Sequence, residues 1–331
     1  MKFYHLILVL LLIVSISSCK KNEVKKTEIT QSEIKTEQKD GVQPFAEHIF
    51  SQYTNVRDFT MSTDKNEAYF TLQSPARELS VIMMMKKKNN IWQKPQISSF
   101  SGQYSDLEPF LSPDNLKLYF VSNRPIFKDS TNTKDMDIWY VERQTKNSIW
   151  SEPKNIGAPI NTEGDEFYPS VANNGNLYYT TIIKELKSED DIFMSKWENN
   201  TYSEPIILGE GINTKGAEYN AFIAPDESYL IFGGWRRLDG LGSGDMYISK
   251  NINGEWSTAE NLGNKINSKH MEFCPFVLNE TLYFTSRRSN VQQKENGFSN
   301  TEELLSEINK YDNGASRIYS VDVKNYSSQS Q

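Results

Sequence analysis

Ser112-Pro113-Asp114-Asn115-Leu116-Lys117-Leu118-Tyr119-Phe120-Val121-Ser122-Asn123-Arg124 is the stretch on which the fold turns. Pro followed by Asp and Asn presets a tight reversal, and the aromatic, β-branched run behind it reads as a strand. The strand recurs as EAYFT at 67–71, NLYYTT at 176–181, YLIFGG at 229–234 and TLYFTS at 281–286. Anchored on Phe70, Phe120, Tyr179, Phe232 and Phe284, the steps are 50, 59, 53 and 52 residues. A period of that size marks a repeat architecture. The turn recurs as Ala224-Pro225-Asp226-Glu227, whereas the third unit carries Asn173-Asn174-Gly175.

Two more segments repeat downstream. Asp137-Ile138-Trp139-Tyr140, Asp191-Ile192-Phe193-Met194 and Asp245-Met246-Tyr247-Ile248 are followed later by Arg317-Ile318-Tyr319-Ser320. Trp92, Trp150, Tyr202 and Trp256 then stand in short motifs, most of them ending in Pro. Each unit thus holds four short strands, as a propeller blade does. The reading is all-β: a β-propeller of five four-stranded blades, with six as the alternative. The repeated aromatics are assigned to blade-to-blade packing. The last unit, Cys274 to Val323, lacks a fourth strand, and Pro44-Phe45-Ala46-Glu47-His48-Ile49-Phe50 is an orphan apolar segment. Joining the two as an N-terminal closing strand removes the open sheet edges.

Ser112-Pro113-Asp114 through Leu118-Tyr119-Phe120 to Ser122-Asn123-Arg124, followed by Asp137-Ile138-Trp139-Tyr140, resembles the WD40-like repeat of TolB-type β-propellers. The resemblance spans residues 45 to about 325. It implies a fold rather than an activity, because propellers host both scaffolds and enzymes. Blade three departs from it, with Ile182-Ile183 where the Asn-Arg pair would sit.

At the N-terminus, Lys2 precedes an apolar stretch from Leu6 to Val14 and then Ile16-Ser17-Ser18-Cys19. This reads as a signal peptide, too short for a membrane span, and its end resembles the bacterial lipobox. Residues 1–18 are the expected leader, with Cys19 as the lipidated first mature residue carrying acyl (palmitate-type) chains. Residues 19–44 form a polar tether, 45–326 the propeller and 327–331 a polar tail. Lys20 after the Cys fits delivery to the outer membrane, with the periplasmic or surface side left open.

Scarce residues exclude much chemistry. Beyond the first twenty residues only His48, His270 and Cys274 remain, too few for a disulfide framework or a Cys/His zinc cluster. The formal charge of -7 argues against nucleic-acid partners. No cofactor is expected, though a channel of carboxylates leaves room for a structural cation.

Asp106, Glu166, Glu218 and Glu272 fall at equivalent starts of the first strand, which in a propeller lines the channel. They are placed at the channel mouth, either bridging neighbours or supplying the acids of a glycan-cleaving site. Arg124, Arg236, Arg237, Arg287 and Arg288 open the long loops 123–136, 233–244 and 287–316, facing this acidic ring. Salt bridges between adjacent blades are their assigned role. Trp235 stands outside the repeated aromatic positions and is the candidate contact for a sugar or peptide. A helix at about 301–308 is expected to pack Leu304, Leu305 and Ile308 onto the rim. The functional reading is a monomeric, lipid-anchored scaffold binding a protein or cell-wall partner on its loop-rich face. The alternative is a glycan-binding or glycan-cleaving propeller.

Overall fold

The computed structural model describes residues 41–127, 133–184 and 189–324. The expected leader, Cys19, most of the tether and the tail lie outside the described residues. No described helix is long and apolar enough to cross a membrane.

Five antiparallel sheets follow one another in sequence, so the five-bladed reading holds. Blade one comprises Asn55–Met61, Glu67–Gln73, Ser80–Lys88 and Gln96–Ile97. Blade two comprises Asp106–Leu111, Lys117–Ser122, Asp137–Glu142 and Lys154–Asn155, and blade three Glu166–Val171, Leu177–Thr181, Asp191–Ser195 and Ile206–Ile207. Blade four follows with Ala217–Ile223, Tyr229–Trp235, Asp245–Ile252 and Glu260–Asn261. Blade five holds Glu272–Leu278, Thr281–Ser286 and Arg317–Asp322, and its fourth strand is Gln43–Pro44 from the N-terminus.

This closing strand pairs Gln43 with Ser320 and Pro44 with Tyr319, and the Phe45 N–H continues to the Ile318 carbonyl. Proline is tolerated there because an edge strand leaves one side of its backbone unpaired. The strand is shorter and earlier than the apolar segment suggested. Glu47–Phe50 is a single helical turn instead, burying Ile49 and Phe50. Phe45 sits against Phe59 and Tyr283, each at 5.0 Å, so the seam between first and last blades is filled by rings.

The five anchor aromatics Phe70, Phe120, Tyr179, Phe232 and Phe284 are fully buried, which is the packing role assigned to them. Truncating any one to Ala should cost about 3–5 kcal/mol.

The first strand of every blade is interrupted at one position. Register shifts fall between Arg57 and Thr60, Leu107 and Phe110, Phe167 and Ser170, Tyr219 and Phe222, and Phe273 and Phe276. Within each bulge one non-glycine residue is left-handed: Asp58, Glu108, Tyr168, Asn220 and Cys274, with φ between 48° and 56°. A strained conformation repeated five times is held by surrounding structure, and it re-aims a side chain.

Candidate functional site

The four acids do not display themselves at a channel mouth. Asp106, Glu166, Glu218 and Glu272 are fully buried. Each clamps the linker arriving from the preceding blade. Thr162 donates its hydroxyl to Glu166 at 2.6 Å, Thr214 to Glu218 at 2.8 Å, and Ser268 to Glu272 at 2.7 Å. The residue before each donor, Asn161, Asn213 or Asn267, brackets the backbone of the preceding blade at Ile138, Ile192 or Met246. In blade two, Ser101 does both tasks, accepting from the Ile82 N–H and donating to Asp106. The acids are therefore mortar between blades.

The arginines pair within their own blade, not across blades as the sequence suggested. Arg124 meets Asp106 at 2.6 Å, Arg288 meets Glu272 at 3.3 Å, and Arg237 meets Glu218 at 3.6 Å. The reason is steric: each arginine leaves the second strand beside the first strand's acid and lies over the third strand's ring. Arg237 covers Tyr247 at 4.4 Å and Arg288 covers Tyr319 at 4.6 Å. Blade three has Ile182-Ile183 in this place, and burial pushes the Glu166 carboxyl up to about 7. Among the described residues Arg236 and Arg287 have no such partner. Arg236 stacks on Trp235 at 3.9 Å, and Arg287 lies half-buried over Phe273 at 5.6 Å. The Arg287 pKa is lowered by burial and then by the charges of Arg77 and Arg57. Arg287 thus places a cation against an aromatic ring at this end of the channel.

What occupies the channel is the left-handed set two residues beyond the acids. Arg57 Nε reaches both Asp58 oxygens at 2.7 and 2.8 Å, and its Nη2 reaches Glu108 at 2.9 Å. The Cys274 thiol donates to Asp58 at 2.8 Å, and the Tyr168 N–H donates to Glu108 at 2.7 Å. Burial, then the Asp58 charge, push Glu108 up to about 7, and burial raises the Cys274 thiol well above its usual range. Donor atoms of Asp58, Glu108 and Cys274 lie within 4.8 Å of one another. The Arg57 guanidinium already supplies the positive charge among them, so a resident cation would have to displace it. The cluster is a buried plug, and a neutral, hydrogen-bonded thiol is a poor nucleophile.

The loops between second and third strands share one face by topology, because they leave from the end where each first strand begins. Every one carries exposed apolar side chains. They are Leu79 in blade one, Ile126 and Phe127 in blade two, and Ile182 in blade three. Blade four adds Trp235, Leu238 and Leu241, and blade five Val291 with the helix Thr301–Ile308. That helix is capped by Asn300, which accepts from the Glu303 N–H at 2.8 Å. None of its residues is buried, so Leu304, Leu305 and Ile308 face outward instead of packing on the rim.

No protein-family model and no curated protein sequence matches the chain. Several solved structures are similar in fold. A structure described as TolB from Agrobacterium tumefaciens is 11% identical, with 70% of this chain and 69% of that one covered at a TM-score of 0.45. TolB from Acinetobacter baumannii is 11% identical over 70% of this chain at a TM-score of 0.41; the chain spans about half (51%) of its length. The α-L-arabinofuranosidase of Podospora anserina, solved with cellotriose, is 12% identical, covering 82% and 91% of the two chains at a TM-score of 0.44.

Proposed function

We propose that this chain is a cell-envelope propeller, held at a membrane by acyl chains on Cys19, that docks a protein partner on its loop-rich face. The observation that carries this reading is the placement of exposed apolar side chains in all five loops between second and third strands. Exposed apolar side chains gathered at one end of a fold mark interaction sites, and the blades carry these five loops at the same end. Arg77, Arg287 and the Trp235–Arg236 stack supply the anchor types that dominate interface energetics. They suit a partner offering acidic side chains among apolar ones. The carboxylates that the glycan-cleaving alternative would use are buried and occupied, which argues against cleavage at the channel. The test is co-purification of partner proteins with the full-length chain from its own membranes. The double variant Leu238→Asp with Ile308→Asp should lose the specific partner while keeping its melting temperature. Retention of the same partner at wild-type level would refute the docking face.

A further inference from the structure

On the opposite face, where first strands turn into second strands, neighbouring turns are latched in places. Asn115 accepts from the Thr63 N–H at 2.9 Å, joining blades one and two. The Asn173 N–H reaches the Pro225 carbonyl at 2.8 Å, and Glu227 accepts from Asn174, Asn176 and Tyr178, joining blades three and four. Between blades two and three the turns 112–115 and 173–175 share no hydrogen bond. Here blade three has Asn173-Asn174-Gly175 in place of Pro-Asp, and here the surface opens into a groove of about 430 Å³.

We propose that this groove is a saccharide-binding site. Its walls are the rings of Tyr119, Tyr140, Trp197 and Tyr202, with Asn173 and Asn200 at the rim. Trp197 and Tyr202 meet edge to face at 4.8 Å, and Trp197 belongs to a separate hairpin, Trp197–Glu198 with Thr201–Tyr202. The indole is seated against Gly175, where an added Cβ would lie 2.9 Å from two indole carbons at a φ of +91°. Glycine at the turn is thus what lets the indole lie there. The carboxamides of Asn173 and Asn200 are exposed and make no hydrogen bond to the protein among the described residues. Planar amides beside aromatic faces match a sugar ring, which offers C–H faces to the rings and hydroxyls to the amides.

The charges around the groove nearly balance. The Lys117 and Lys154 ammoniums lie over the Tyr140 ring at 5.1 and 5.9 Å, Lys154 also pairs with Glu142, and Asp114 balances the rim. One acid, Asp114, and one cation, Lys117, line the groove, so a ligand without net charge suits it. A volume in the small-molecule range and a wall shared by ring faces and polar groups fit a short neutral oligosaccharide better than a lipid tail.

Calorimetric titration and saturation-transfer NMR of the full-length chain with cellobiose, maltose, lactose and N,N′-diacetylchitobiose tests this directly. At least one should bind saturably. Trp197→Ala should weaken that affinity by about tenfold or more. Asn173→Ala, on an exposed side chain, should weaken it without touching the core, and Gly175→Ala should weaken it by displacing the indole. Trp235→Ala, on the other face, should leave it unchanged. Absence of binding by every disaccharide up to tens of millimolar would overturn the proposal. So would affinities unmoved by both Trp197→Ala and Asn173→Ala, or N-acetyltryptophanamide binding there in place of any sugar.

Discussion

Asp58 in the first blade donates its backbone N–H to the Thr285 hydroxyl in the last, at 3.2 Å. The same bond runs from Glu108 to Thr71 at 3.1 Å and from Asn220 to Thr180 at 3.2 Å. The closing seam is therefore joined at the channel as two of the interior seams are, with a left-handed residue reaching back to a threonine of the preceding blade. Thr285→Val removes this acceptor and leaves a buried N–H unpaired. It should cost about 1–3 kcal/mol, read as a lower melting temperature. An unchanged transition would mean the seam is held by the Gln43–Pro44 strand and the Phe45 rings alone.

Titration offers a second check. Burial pushes the Glu166 carboxyl up from 4.5 to about 7, so the folded state keeps a proton that the unfolded chain releases. Stability from this group is full below about pH 4.5 and is lost as pH rises through 7. Glu108 is shifted in the same direction. The wild-type melting temperature should fall between about pH 5 and 8, and Glu166→Gln should flatten part of that fall. Parallel pH curves for the two proteins would remove Glu166 as a contributor.

Glu218 and Trp235 lie in the same blade and should separate cleanly. Glu218 accepts the Thr214 N–H at 2.7 Å while fully buried, so Glu218→Gln should destabilise by about 1–3 kcal/mol and leave partner affinity alone. Trp235, 41% exposed and stacked by Arg236, should behave oppositely: Trp235→Ala should weaken partner binding by about 1–3 kcal/mol and barely move the melting curve. Reversal of the two phenotypes would return the acids to a role in binding or chemistry.

Membrane attachment is tested at Cys19. Cys19→Ser should abolish incorporation of a fatty-acid analogue and leave a soluble or uncleaved species. Persistent labelling of the variant would rule out that anchor.

The blades were legible because each repeats the same hairpin and buried ring, so periodicity alone locates Phe70, Phe120, Tyr179, Phe232 and Phe284. The acids were legible as a repeat but not as a destination. A bulge places two residues opposite one, and it hands the channel to Asp58, Glu108, Tyr168, Asn220 and Cys274 instead. These five residue types share no composition signal. The hint lay beside them: Pro109, Pro169 and Pro275 each follow a left-handed residue, and proline inside a strand marks a bulge. The clamp was also written in the chain, as Ile160-Asn161-Thr162 before Glu166, Ile212-Asn213-Thr214 before Glu218, and Ile266-Asn267-Ser268 before Glu272. The outward stripe of the 301–308 helix was not legible, because amphipathic spacing shows that one face is apolar and not what covers it.

Site-specific photo-crosslinking tests the docking face most directly. A benzophenone side chain is placed singly in the full-length chain at Phe127, Leu238 or Ile308 on the loop-rich face, and at Ile149 or Ile252 in the turns of the opposite end, all exposed positions. After irradiation in the native cells, the three loop-face positions should trap the same protein, and Ile149 and Ile252 should not. Adducts from Ile149 or Ile252 alone, or no adduct from any of the three loop positions, would contradict the account.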